Sequence, residues 1–230
     1  MSLIKIIAID GPAASGKTTL GKKLADALGY LFFDTGVMYR AITWVALQRA
    51  VNLTDEVAVS HLAEEVNLDI RSPSQADGRS SDILADGEDI TWAIRTREVD
   101  VNVSRVSAYP GVRRALSLQQ RRIGLRGNVV MVGRDIGTVV LPEAGLKLYL
   151  DASAEERARR RYRELMARGE PADYADILAA MQRRDHIDST RSIAPLRPAE
   201  DAIILNSDGL DAEEVLAEVI RMVKDPDGSA

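Results

Sequence analysis

The sequence contains no cysteine and only two histidines, His61 and His186. Without cysteine there is no disulfide, no thiolate nucleophile and no thiolate metal ligand, a composition suited to a reducing compartment. The histidines are too few and too far apart for a His-based metal site, so each reads as a surface or capping residue. Positive charge is short as well: 30 Lys+Arg stand against 35 Asp+Glu, a formal net charge of −5, which leaves no global field to attract a nucleic-acid backbone. No apolar run approaches the roughly 18 residues of a membrane span. The chain passes from Lys5 straight into an apolar strand pattern, with no room for a signal peptide. These absences lead to the expectation of a cytoplasmic protein with neither a nucleic-acid polymer nor a membrane as partner.

What is present is 230 residues, 46% apolar and 28% charged, enough to bury a sizeable core in one main domain with an insertion or two. Short apolar runs at 4–9, 30–33, 129–132, 146–150 and 202–205 read as fully buried parallel strands. Helical periods alternate with them: Leu20, Leu24 and Leu28, then Met38, Ile42 and Val45, and last Val215, Leu216, Val219, Ile220 and Val223. This alternation predicts an α/β doubly wound sheet whose ligand site lies at the C-terminal ends of the strands.

Two stretches interrupt the alternation. From about 62 to 105, strand-like pieces at 67–70 and 82–85, with Asp86-Gly87 as a turn signal, predict a small β element followed by a helix carrying Val99, Val103 and Val106 on one face. From 155 to 168, Arg157, Arg159, Arg160, Arg161, Arg163 and Arg168 fill one helix that turns at Gly169. Because this run follows a strand ending near Asp151, it would hang over the phosphate end of the sheet as a lid. The tail at 225–230 reads as frayed.

The first apolar run leads into Gly11, Pro12, Ala13, Ala14, Ser15, Gly16, Lys17 and Thr18. Glycines at these spacings let successive backbone N–H groups converge on phosphate oxygens, and the following helix adds the positive end of its dipole. In such a loop Lys17 reaches the β- and γ-phosphates and Thr18 ligates Mg²⁺. Asp34, after the second strand, suits Mg²⁺ through water or a helix cap equally. Arg184, Asp188 and Arg191 are spaced i, i+4 and i+7, on one helical face. That spacing fits intrahelical ion pairs, and it equally fits a nucleoside monophosphate, with arginine forks on phosphate and the carboxylate on a ribose hydroxyl. A regulatory P-loop switch would leave these arginines unexplained, whereas another small-substrate kinase, acting on AMP, UMP or shikimate, would not.

The stretches GPAASGKTT, FFDTGVMYR, IRTREV, GRDIGTVVLPEA, LDASAEERARRR and RRDHIDSTRSIAPL together resemble bacterial cytidylate kinases over nearly the whole chain. The resemblance implies a P-loop kinase fold of three layers with a central parallel five-stranded sheet. It implies a single domain over 1–230, with a monophosphate-binding region at about 36–105 and an arginine-rich lid at about 154–172. It further implies that residues 11–19, Thr19 included, bind ATP; the Mg²⁺ expected at Thr18 and Asp34 rests on the loop motif and the strand end. Thr35, Arg40, Ser104, Arg113, Arg134, Asp135, Arg184, Asp188 and Arg191 would surround CMP or dCMP. The resemblance implies a monomer; Lys17, Arg134 and, from their spacing four apart on the lid helix, Arg157 and Arg161 are expected to attend the transferred phosphoryl group. Thr35 stands where serine is common in the family, and Thr18-Thr19 where some members have Gly-Thr; both changes keep a hydroxyl.

Overall fold

The computed structural model describes residues 4–209 and 212–224; the tail expected to be frayed lies outside the described residues. Five strands form one parallel sheet: β1 (Ile6–Asp10), β2 (Leu31–Asp34), β6 (Val129–Val132), β7 (Leu146–Asp151) and β8 (Ile203–Asn206), in the order β2-β6-β1-β7-β8. The phosphate-loop strand is therefore central. Alternate side chains of these strands enter two different cores. Ala8, Val129 and Met131 join one, whereas Ile7, Ile9, Val130 and Val132 join the other. A strand buried on both faces needs apolar residues throughout, which is why these segments read as continuous runs.

Helices α1 (Lys17–Leu28) and α8 (Ala212–Lys224) cover one face through Leu20, Leu24, Val215, Val219 and Val223. On the other face, α2 (Gly36–Gln48), α3 (Glu56–Glu65) and α5 (Pro110–Gly124) bury Met38, Ile42, Val59, Leu62, Val112 and Leu116. These helices make the three-layer arrangement expected of the sequence. The end of α1 is set by Gly29, whose φ of 68° lets the chain reverse and the Tyr30 amide bond back to the Ala25 carbonyl at 2.9 Å.

The insertion carries a second, antiparallel sheet of β3 (Leu68–Arg71), β4 (Asp82–Ala85) and β5 (Glu88–Asp89). Its last hairpin turns at Asp86-Gly87 with φ of 51° and 88°, the left-handed pair that a two-residue turn of this hand requires. Leu68, Ile70 and Ile83 are fully or almost fully buried in the same core that holds α2 and α5, so the small sheet is packed onto the main body. Arg79 fastens its entry loop, donating to Asp77, Asp82 and Asp89. Helix α4 (Arg97–Val106) follows and buries Val99 and Val106, with Val103 partly buried. Two charged helices, α6 (Ala154–Ala167) and α7 (Tyr174–Thr190), pack together beside the sheet's C-terminal edge. No helix among the described residues is long and apolar enough to cross a membrane.

Candidate active site

The phosphate loop and the Arg134-Asp135 turn follow on strands of the main sheet, and Asp34 closes one. β1 runs into the loop at Gly11, whose φ is 147°; a side chain there would meet the Leu150 carbonyl oxygen at 2.2 Å, so glycine is obligatory. Gly16, at φ 98°, then opens α1. Lys17 is folded back over this loop, its ammonium donating to the Pro12 carbonyl and, at 3.4 Å, to the Ser15 hydroxyl. Burial, seconded by the Arg134 charge, pushes Lys17 down to about 7. A polyanion would reverse that balance.

Thr18 and Asp34 meet across the start of the site. The Thr18 hydroxyl donates to Asp34 Oδ2 at 3.1 Å, and the other oxygen of Asp34 accepts the Gly36 amide at 3.0 Å. Asp34 thus spends one oxygen on the first amide of α2 and the other on the Thr18 hydroxyl. A hydroxyl and a carboxylate side by side are hard oxygen donors, the kind of partial set that Mg²⁺ completes with water and phosphate oxygens. Thr35 is buried and ties β2 to β6 through its hydroxyl and amide, both bonded to the Val132 carbonyl at 3.0 Å. Thr19 is exposed on the first turn of α1.

The second half of the site is a chain of alternating charges. Arg113 on α5 donates to both oxygens of Asp135 at 3.1 and 3.2 Å, and the two side chains are only 7% and 8% exposed. Arg191 lies 3.7 Å from Asp135 and donates to Asp188 at 3.2 Å. Arg134 also pairs with Asp188, and Arg184 stands 3.9 Å from it. Four guanidiniums thus share two carboxylates, an excess of positive charge. Burial lowers the pKa of Arg184 and of Arg191 from the ordinary arginine range. Arg113 Nε and Arg191 Nη2 are buried without a hydrogen-bond partner among the described residues; buried donors of this kind are expensive until an acceptor arrives.

The sequence reading put Arg191 on the same helix as Arg184. Helix α7 instead stops at Thr190, and Arg191 is its C-cap, in an extended conformation (φ −63°, ψ 144°). It reaches the same carboxylates from just outside the helix. Arg40 and Ser104 are not joined to this cluster by any hydrogen bond. Arg40, on α2, bonds to the Ile94 carbonyl at 3.0 Å and pairs with Asp100 on α4, while Ser104 is exposed on α4.

The lid arginines divide. Arg157, 3% exposed, donates to the Ala152 carbonyl at 2.9 Å and the Ala13 carbonyl at 3.2 Å, and pairs with Asp185 on α7. It is already anchored to the phosphate loop instead of waiting at a distance. Arg161 points its charge to Glu164 at 2.8 Å, on an exposed face. Arg160, which the sequence reading did not single out, approaches the loop at the Ser15 carbonyl (3.5 Å) and bonds to Ser207. A run of arginines at helical spacing gives no sign of which member faces the loop.

Asp10 was also missed. It is the last residue of β1, 4% exposed, and accepts the amides of Ile136 at 2.8 Å and Gly137 at 2.7 Å. Burial pushes it up to about 6 against the pull of those two amides. The available signal was a carboxylate directly preceding Gly11 in an otherwise apolar strand.

The cytidylate kinase family model matches residues 7–225. A cytidylate kinase of Herpetosiphon aurantiacus is 52% identical over 217 residues, covering 94% of this chain and 93% of that protein. One from Chloroflexus aggregans is 52% identical over 220 residues, covering 96% and 94%. A cytidylate kinase of Anoxybacillus flavithermus is 46% identical, covering 95% and 96%. With the phosphate loop and the Arg113–Asp135 pair at the strand ends and this similarity along its length, the chain belongs to the cytidylate kinase family.

Proposed function

We propose that this chain transfers the γ-phosphoryl group of ATP to CMP and dCMP, giving CDP or dCDP and ADP. The observation that carries the acceptor assignment is the buried Arg113–Asp135 pair. Cytosine presents an amino donor beside the N3 and O2 acceptors, so its recognition needs an acceptor and a cation together. Asp135 accepts from the amino group, with Ser104 as its helper, and Arg113 meets the acceptors. Uracil reverses the character of positions 3 and 4 and would set a carbonyl against the Asp135 carboxylate.

Residues 11–19 hold the ATP phosphates. Arg40, Arg134, Arg184 and Arg191 neutralise the acceptor phosphate, and Asp188 takes a ribose hydroxyl. The acceptor needs no strong base, because a phosphate monoester with a second pKa of about 6 is already largely dianionic. The difficulty is repulsion between two polyanions, so the protein's task is alignment and charge neutralisation. Lys17 and Arg157 serve the phosphoryl group from the loop side, with Arg161 joining only if the lid turns. Thr18 and Asp34 would hold Mg²⁺, which would supply charge neutralisation to the triphosphate. The same reading makes the enzyme a cytoplasmic monomer of one domain, with residues 36–105 closing on CMP and 154–172 on ATP.

The test is coupled phosphoryl transfer from Mg-ATP to CMP, dCMP, UMP and AMP in parallel. Strong turnover is expected with the cytosine nucleotides alone. Equal turnover of UMP would remove the Asp135 account, and turnover of AMP alone would make this a different kinase.

Lys17 gives an independent readout. With its pKa near 7 in the free site, it is mostly neutral at pH 8, and the triphosphate must restore its charge. ATP binding at pH 8 is therefore expected to take up close to one proton, measured as the dependence of calorimetric enthalpy on buffer ionisation enthalpy. At pH 6, where the ammonium is already formed, Lys17 should contribute almost no uptake. No uptake at pH 8 would contradict a buried, neutral Lys17 in the free enzyme.

A further inference from the structure

Asp10 belongs to neither half of the site by sequence motif, yet it touches both. The next residue is Gly11, where the phosphate loop begins. Its two carboxylate oxygens bond separately to the amides of Ile136 and Gly137. Those amides open the turn Ile136–Val140, in which the Leu141 amide bonds back to the Ile136 carbonyl across five residues. Amides at the start of such a turn have no preceding carbonyl to pair with. Asp135 immediately precedes them with φ −145° and ψ 23°, outside the helical region. The orientation of Asp135 is thus fixed on one side by Arg113 and on the other by the turn that Asp10 holds.

The surroundings leave this arrangement little slack. A side chain at Gly137 would come within 3.4 Å of Asp10 Oδ2 and 3.2 Å of the Lys147 stem. The Lys147 ammonium is committed to Asp201 at 2.7 and 2.9 Å, so it does not substitute for either amide. Among the described residues, no other carboxylate or carbonyl bonds to the Ile136 or Gly137 amide.

We infer that Asp10 is a positioning residue for base recognition: by pinning the Ile136 and Gly137 amides to the end of β1, it holds Asp135 beside the phosphate loop in the geometry that reads cytosine. The inference rests on the cytidylate kinase function proposed above. It separates Asp10 from a purely structural anchor, because its loss should fall on CMP and on base preference more than on the donor nucleotide.

The experiment is Asp10→Asn in the full chain. The carboxamide is close in size but offers one acceptor to two donors, leaving one amide facing an N–H group. Calorimetric titration is expected to weaken CMP binding by roughly tenfold or more, while ADP affinity stays within about twofold and the CMP-over-UMP preference narrows. Equal weakening of CMP and ADP, or a lowered melting temperature with CMP affinity and preference unchanged, would overturn it. Hydrogen exchange in the wild-type apoenzyme is a second measurement that needs no variant. The Ile136 and Gly137 amides should exchange as slowly as those of β6, and exchange at the rate of open loops would remove the proposed tether. A wild type that neither binds nor phosphorylates CMP overturns the functional reading and this inference together. A wild type that does both, with an unaltered Asp10→Asn variant, overturns this inference alone.

Discussion

Lys17→Met is expected to lower kcat at saturating Mg-ATP and CMP by at least about 100-fold, the loss seen when a preorganised charge stabiliser is removed from a transition state. The chain should remain folded. Methionine is unbranched and of similar length, so it can follow the course of the lysine stem over the loop. The ammonium contributes little to the free protein, since burial has already pushed its pKa down to about 7. What is lost is the cation that the triphosphate would draw away from the Pro12 carbonyl, to which Lys17 now donates. The melting temperature is therefore expected to stay within a few degrees of wild type. Turnover above a tenth of wild type would show that Mg²⁺ and the arginines neutralise the phosphates without Lys17, and would take away its assigned role.

The strands that carry this site were legible for a physical reason that also explains what was overlooked. Segments buried on both faces must be apolar throughout, and the run at 129–132 coincides with β6 (Val129–Val132). Elsewhere the apolar reading stopped one residue early. β1, β2 and β7 each end on an aspartate, Asp10, Asp34 and Asp151, and β8 on Asn206. The hydrogen-bond ladder continues one residue past the apolar run, to the edge where polar groups face the ligands. A boundary drawn by hydrophobicity falls just short of the functional residue, and Asp10 was lost in that gap.

The lid and the acceptor site were legible to different depths. Helical spacing brings Arg157, Arg160 and Arg161 to neighbouring positions, but their directions depend on the carboxylates around them. Asp185 and Ala13 hold Arg157, Ser207 holds Arg160, and Glu164 draws Arg161 outward. Asp185, Ala13 and Ser207 are distant in sequence and cannot be read from periodicity, whereas Glu164 lies one helical turn from Arg161. Arg184, Asp188 and Arg191 were found from spacing even though the helix ends before Arg191, because a C-cap residue still lies over the last turn. Arg40 and Ser104 are assigned to CMP through the family resemblance. Arg40 is paired with Asp100 on α4, a surface ion pair of the kind worth about 0–1 kcal/mol, so a phosphate dianion competes for it at small expense.

Asp135→Ala carries the other large effect, and it should fall on choice of substrate. The substitution removes the acceptor for the cytosine amino group and leaves the Arg113 guanidinium, 7% exposed, with Arg191 nearby and no carboxylate between them. Breaking a buried pair on one side costs about 3–5 kcal/mol, so a fall in melting temperature is expected alongside the kinetic change. The kinetic change is the diagnostic one: kcat/KM for CMP should drop by about 100-fold, the upper end of what losing one hydrogen bond to a charged group costs. UMP should lose far less, because the repulsion between its carbonyl and the carboxylate disappears with the carboxylate, and the KM for ATP should stay within about twofold. Asp135→Asn separates the two causes. Its carboxamide can donate to the uracil O4 that the carboxylate repels, so it should raise UMP relative to CMP more than alanine does. Parallel kcat/KM values for CMP and UMP in the two variants decide the matter. If the CMP-over-UMP ratio is unchanged in both, base recognition lies outside the Arg113–Asp135 pair, and the buried donors of Arg113 and Arg191 answer to the phosphate or ribose instead.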